Sequence, residues 1–274
     1  MQIALYVLIA LFLIYIGVCA VYFFSQEKLI FCPEDEKYSQ PFSVEFPTTH
    51  IFFTADDGAT LHGVHIAAEK SKGIIIYFHG NTGNINRWVP AIAELVKFQY
   101  DLIVIDYRGY GKTVGKRTEK KLYSDSFYFY DYAKKYFDES NIIIYGRSLG
   151  TGMAVDLAMN TNPSRLILES PFSSMLEIAN KKLPIVPVSM LLKFHFRSDL
   201  KISKVKCPIL LFHGTKDDVV SYESGKNLFH LGNGNKKSLM VTLQGGTHRN
   251  IGTYKEYWSN LELFLNELMV YDSK

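Results

Sequence analysis

Residues 141–153 read NIIIYGRSLGTGM, from Asn141 to Met153. Three isoleucines and a tyrosine in succession make a short β-branched apolar run, as a strand covered on both faces requires. The next residues change character, with Gly146, Ser148, Gly150 and Gly152 at alternate positions. An ordinary loop accounts for one glycine, not for three around a single serine. The pattern fits a sharp turn from strand into helix that holds the serine in a strained backbone conformation. Flanking glycines then let helix and strand approach without Cβ clashes, and Gly152 extends the small face into the helix.

Runs of the same kind recur at 73–80 (GIIIYFHG), 101–107 (DLIVIDY), 165–170 (RLILES), 208–214 (PILLFHG) and 238–244 (SLMVTLQ). Helix-length segments lie among them at 87–98, 119–137 and 149–160. Strands alternating with helices predict an α/β fold with a mostly parallel sheet. Residues 44–67 read as a hairpin turning at Asp57-Gly58. In open α/β sheets, sites form at the carboxyl ends of the strands.

The 274 residues suffice for one large domain and an N-terminal segment. A net charge of +3 without a long single-sign run gives no reason to expect nucleic acid. Cys19, Cys32 and Cys207 lack paired spacing, so neither a disulfide framework nor a zinc site is expected. His62 and His65 stand three apart on a strand and point to opposite faces, which excludes a shared metal. GYGKT (109–113) lacks the earlier glycine of a phosphate-binding loop, since Asp106 occupies that position. No metal or cofactor is expected.

Ile3 to Phe24 carries no charge over 22 residues. As a helix this run reaches ~33 Å, enough for a hydrocarbon core of ~30 Å. It exceeds the apolar core of a signal peptide, no Lys or Arg precedes it, and no clear cleavage site follows. The expected organisation is a membrane anchor over 1–25, a polar linker over 26–45 and a folded domain over 46–274. Lys28 and Lys37 after the span favour the cytoplasmic side for that domain. Removing the anchor should take away no group of the site.

The serine has partners in the order its chemistry needs. Asp217 and Asp218 follow the strand-like PILLFHG, and His248 follows SLMVTLQ. Serine, acid and histidine, each after its own strand, suit a nucleophile, an orienting carboxylate and a general base. His79 and His213, each before a glycine at a strand end, read as structural. Lys112, Lys116, Arg117, Lys120 and Lys121 read as a solvated face or as a contact for anionic lipid headgroups.

FHGNTGN, DYRGYGKTVG, GRSLGTGMA, ESPFSS, HGTKDDVV and GGTHRN together resemble the α/β-hydrolase superfamily. Within it they look like the membrane-anchored serine hydrolases of the fungal and animal BEM-like group, with prolyl-oligopeptidase-like hydrolases as near relatives. The resemblance runs from about Gln26 to Glu267. It implies an α/β-hydrolase fold, Asp217 rather than Asp218 as the acid, and a cap over Ser148 at about 172–206. It also implies an oxyanion hole from the backbone N–H groups of Leu149 and Asn81. The implied activity is hydrolysis of esters or thioesters, with lipid-like or acylated substrates. A peptidase of the oligopeptidase type and a non-catalytic membrane-tethered scaffold are the alternatives.

Overall fold

The computed structural model describes residues 1–34, 42–232 and 237–267. The parts of the expected linker at 35–41 and of the domain at 268–274 lie outside the described residues. Helix α1 (Gln2–Ile30) leads into a short strand β1 (Cys32–Pro33), then the hairpin β2 (Thr48–Thr54) and β3 (Thr60–Ile66). The chain continues through β4 (Ile74–Phe78), β5 (Thr82–Gly83), α2 (Ile85–Ile92), β6 (Asp101–Asp106), α3 (Glu119–Ala133) and β7 (Ile142–Arg147). It ends with α4 (Gly150–Asn160), β8 (Arg165–Glu169), α5 (Met175–Lys182), α6 (Val188–Leu191), β9 (Ile209–Gly214), α7 (Tyr222–Gly232), β10 (Leu239–Leu243) and α8 (Lys255–Leu265).

Eight strands form one sheet in the order β10-β9-β8-β7-β4-β6-β3-β2. From β10 to β6 all neighbours are parallel, and the hairpin adds β3 and β2 antiparallel at one edge. The apolar runs are strands because both faces are covered. Ile74, Ile76 and Phe78 of β4 join one buried cluster, while Ile75 and Tyr77 join the cluster on the opposite face. From β4 the chain moves to β6 on one side, whereas from β7 it moves to β8 on the other. The carboxyl ends of β4 and β7 therefore border the crevice where such sheets bind ligands.

Helix α1 departs from the expected anchor and linker. It is long and apolar enough to cross a membrane, with a mean hydropathy of 2.7 in its most apolar window. It does not stop at residue 25, and the expected linker begins inside ordered structure. Cys19, Tyr22 and Gln26 are buried along one face of α1, and the first two pack with Ala179, Val186, Val188 and Leu192. Gln26 is fully buried. Its amide donates to the carbonyls of Phe23 and Leu191, both at 3.0 Å, and its oxygen accepts from Lys193 N–H at 2.7 Å. Beyond the helix, Cys32–Pro33 pairs with Thr82–Gly83. A polar composition disguised this segment because Gln26 uses its amide in hydrogen bonds to the body.

The basic cluster is likewise not one solvated face. Arg117 donates to the carbonyl of Arg108 at 2.7 Å and stacks 4.2 Å from the ring of Phe31, and Lys121 pairs with Asp57. Arg108, 2% exposed, bonds Asp57 and Asp125 and so ties the hairpin turn to α3.

Gln26→Leu would strand the Lys193 N–H and the Leu191 carbonyl, at ~1–3 kcal/mol for each group left unmet. The expected outcome is a lower midpoint for thermal unfolding in detergent and faster proteolysis within 183–193. An unchanged midpoint and cleavage rate would show that the helix docks without this bridge.

Candidate active site

Ser148 stands at the end of β7 with φ +48°, a left-handed conformation that costs a non-glycine residue strain. The glycines around it explain how that turn is held. A Cβ on Gly146 would lie 2.7 Å from Ala154 Cβ and Thr151 Cα, and one on Gly150 only 2.0 Å from the carbonyl oxygen of Phe78. Helix α4 is thus pressed against both its own strand and β4. Gly152 serves a different neighbour from the one expected: its Cα faces the ring of Phe196, not the sheet.

The structure brings Ser148, His248 and Asp217 into one row. Ser148 Oγ lies 2.9 Å from His248 Nε2, and His248 Nδ1 lies 2.8 Å from Asp217 Oδ2. With the Nδ1 proton on the carboxylate side, Nε2 is left to accept from the serine hydroxyl. The two loops that carry acid and base are pressed together, since a Cβ on Gly214 would meet the Gly246 carbonyl at 2.2 Å. Asp217 Oδ1 accepts from the N–H groups of Val219 and Val220 at 2.9 and 2.8 Å. Burial alone would raise this carboxyl, but the imidazoles of His213 and His248 and the Val220 N–H outweigh it. They hold it far below the usual carboxylate range. Asp217 therefore stays charged wherever His248 can accept a proton. Asp218 has no hydrogen bond to His248.

His213 is buried and donates to Val220 O at 3.1 Å, with the same nitrogen 3.5 Å from Asp217. It thus packs behind the acid as well as filling space. His79 is buried beside Trp88 and Tyr107, 3.4 Å from Asp106. It makes no hydrogen bond to Ser148.

Leu149 opens α4, and Asn81 lies in the loop after β4; a Cβ on the intervening Gly80 would be 3.9 Å from that of Ser148. Among the described residues neither the Leu149 nor the Asn81 N–H has a backbone acceptor. Asn81 is held from the other side. Its carbonyl accepts from Cys32 N–H at 2.9 Å and Tyr110 O–H at 2.6 Å, and its amide donates to Ile30 O at 3.1 Å.

Arg147 is absent from the sequence reading. It reaches Glu169 at 2.5 Å and the carbonyl of His248 at 3.2 Å, and its guanidinium lies 5.2 Å from the Trp88 ring. The signal was a charged residue between an apolar strand and the serine. Ser148 opens into a pocket roofed by Phe172, Met175, Ile178 and Leu192, with Tyr22, Gln26, Leu29 and Ile30 of α1 on one side. Nothing in the sequence marked those helix residues.

The fold and this row define a hydrolase of α/β architecture. A family model described as serine aminopeptidase, S33, matches residues 69–200. The human alpha/beta hydrolase domain-containing protein 17B is 30% identical over 207 residues, 73% of this chain and 69% of that protein. The lysophosphatidylserine lipase ABHD12 of Danio rerio is 31% identical over 187 residues, 60% of this chain and 48% of that protein. The chain thus spans about half the length of the lysophosphatidylserine lipases it matches. Among solved structures, the Pyrococcus furiosus esterase Pf2001 aligns with a TM-score of 0.69 at 21% identity, over 87% of this chain and 98% of that one. The chain belongs to the α/β-hydrolase superfamily.

The row of hydrogen bonds predicts an asymmetry between adjacent aspartates. Asp217→Asn should slow fluorophosphonate labelling of the protein by about 10⁴, the effect of leaving a triad imidazole in the wrong tautomer. Asp218→Asn should leave labelling nearly unchanged. The reverse pattern would assign the acid to Asp218.

Proposed function

We propose that the protein is a serine hydrolase of carboxylic esters or thioesters, with Ser148 as nucleophile, His248 as general base and acid, and Asp217 as orienting carboxylate. The observation that carries the proposal is the Ser148–His248–Asp217 row, at 2.9 and 2.8 Å, at the inner end of an apolar pocket. Ser148 Oγ attacks the carbonyl carbon as its proton passes to His248 Nε2. The tetrahedral oxyanion is met by the N–H groups of Leu149 and Asn81, aided by the amino end of α4. Collapse breaks the bond to the leaving oxygen or sulfur, which takes the proton from His248. Water then repeats the sequence on the acyl-enzyme, releasing the acid and restoring Ser148.

An acyl substrate suits a pocket whose lining is mostly carbon, with Lys182 as its one charged side chain among the described residues. The lipase activity named for the Danio rerio relative supports a lipid-like ester. The family model's description favours a peptidase as the second reading. The uncharged helix suits a single-span anchor, with 46–274 as the hydrolase domain, 172–206 as its cap, and Lys28 and Lys37 on the cytoplasmic side.

Ser148→Ala should abolish fluorophosphonate labelling and lower turnover of p-nitrophenyl esters by ~10⁶, as loss of a triad nucleophile does. Wild-type protein that cleaves amino-acid anilides and spares the esters would establish the peptidase. Labelling that survives the substitution would remove Ser148 from the role.

A further inference from the structure

We infer that helix α1 is a wall of the acyl-binding site as well as a membrane span, and that the tip of the cap lies in the bilayer surface. The occupant is the hydrocarbon chain of a lipid ester, received from the leaflet between helix and cap. The inference rests on the ester-hydrolase reading for what happens at Ser148, but the placement of helix and cap stands on separate observations.

The first is the register of α1 against a membrane. Its uncharged run ends at Phe24, and the next charged residue is Glu27, so the edge of the hydrocarbon falls near residues 24–27. At ~1.5 Å per residue, Tyr22 lies about 3–8 Å and Cys19 about 8–12 Å inside that edge. Both are buried against Ala179, Val186, Val188 and Leu192 of the cap. Cap residues that pack on a buried turn of the span are held at the depth of that turn.

The second is the composition of the cap at this place. Leu183 to Leu192 carries no charge, and Lys181, Lys182 and Lys193 bracket it. Val186, Val188 and Leu192 are buried and hold the segment down. Ile185 and Met190 are 74% and 83% exposed. Packing does not explain these two; immersion in lipid does. Lys193 sits 4.1 Å from the ring of Phe23, which pairs a cation with an aromatic ring at the expected interface level.

The third is continuity between this surface and Ser148. One pocket contains Ser148, Asn81 and Leu149 at its inner end and Tyr22, Leu29, Leu183 and Lys182 further out. Its cavity volume of about 150 Å³ is well above the ~10–15 Å³ that a single water needs. Leu29 is 62% exposed and Lys182 is exposed, so both stand where the pocket meets the outside. Gln26 lines the same wall, but its amide nitrogen and oxygen are engaged by Phe23, Leu191 and Lys193. The helix therefore presents mainly carbon to a bound chain.

Two measurements on the full chain in phosphatidylcholine nanodiscs test this. In the first, Leu29→Trp narrows the mouth. The ratio of kcat/KM for dodecanoyl over butyryl p-nitrophenyl ester should fall about tenfold, the scale of overfilling an apolar site. Val21→Trp, on an exposed position outside the pocket, should leave the ratio as in the wild type. In the second, Met190→Trp should add fluorescence that brominated phosphatidylcholine quenches, whereas Tyr136→Trp, in the turn after α3, should add fluorescence that it does not. An unchanged ratio in Leu29→Trp overturns the pocket wall. Absence of quenching at residue 190 overturns the immersed cap whatever the ester rates are. A wild-type protein inactive on both esters would instead overturn the hydrolase reading, and the quenching would still decide where the cap lies.

Discussion

The site depends on one steric constraint, the approach of α4 to the carbonyl of Phe78. A side chain at Gly150 would stand 2.0 Å from that oxygen, so the helix can start where it does only because the position is bare. That start fixes Ser148 in its left-handed turn and leaves the Leu149 N–H at the head of a helix. It also brings the elbow beside the loop after β4, where Asn81 lies. The crevice between β4 and β7 exists in any sheet of this connectivity. The glycines set the hydroxyl of Ser148 at that crevice, at the head of α4.

Electrostatics hold the other half of the site. Arg147, next to Ser148, binds the carbonyl of His248 and the carboxylate of Glu169. Glu169 also accepts from Tyr145, which contacts Tyr257 of α8 at 2.6 Å. The loop bearing His248 is thus tied to the strand bearing Ser148 by charged hydrogen bonds, not by apolar packing alone. Such a network is costly to break because each remaining charge would stay buried without its partner.

The central strands β4, β6, β7, β8 and β9 were legible because both of their faces are covered, which forces a continuous apolar run. Ser148, the two aspartates and His248 were legible because each follows such a run. The contribution of α1 was not. A helix that is apolar on every side gives no periodic signal, so the stripe Cys19, Tyr22, Gln26 is invisible within it. Residues 26–33 looked like a linker because Gln26, Glu27 and Lys28 are polar, although Gln26 is fully buried. Arg117 looked like part of a charged surface, yet its guanidinium lies over Phe31 and Tyr110. Sequence marks where charge is, and only packing reveals whether water reaches it.

The docking of Phe31 and Cys32 bears on how a soluble form of this protein can be made. Phe31 is 2% exposed and meets Phe194 edge to face at 4.9 Å, while Cys32 helps to hold the Asn81 carbonyl. Cutting the chain after residue 33 would bare the aromatic seat of Phe31 and free the Asn81 carbonyl from the Cys32 N–H. Cutting at residue 25 keeps both but uncovers Ala179, Val186 and Leu192, a sticky surface that water has no other cover for. A well-behaved water-soluble version needs its amino terminus in the helix above Cys19, with the outward-facing residues Val21 and Phe24 made polar and the inward-facing ones left alone.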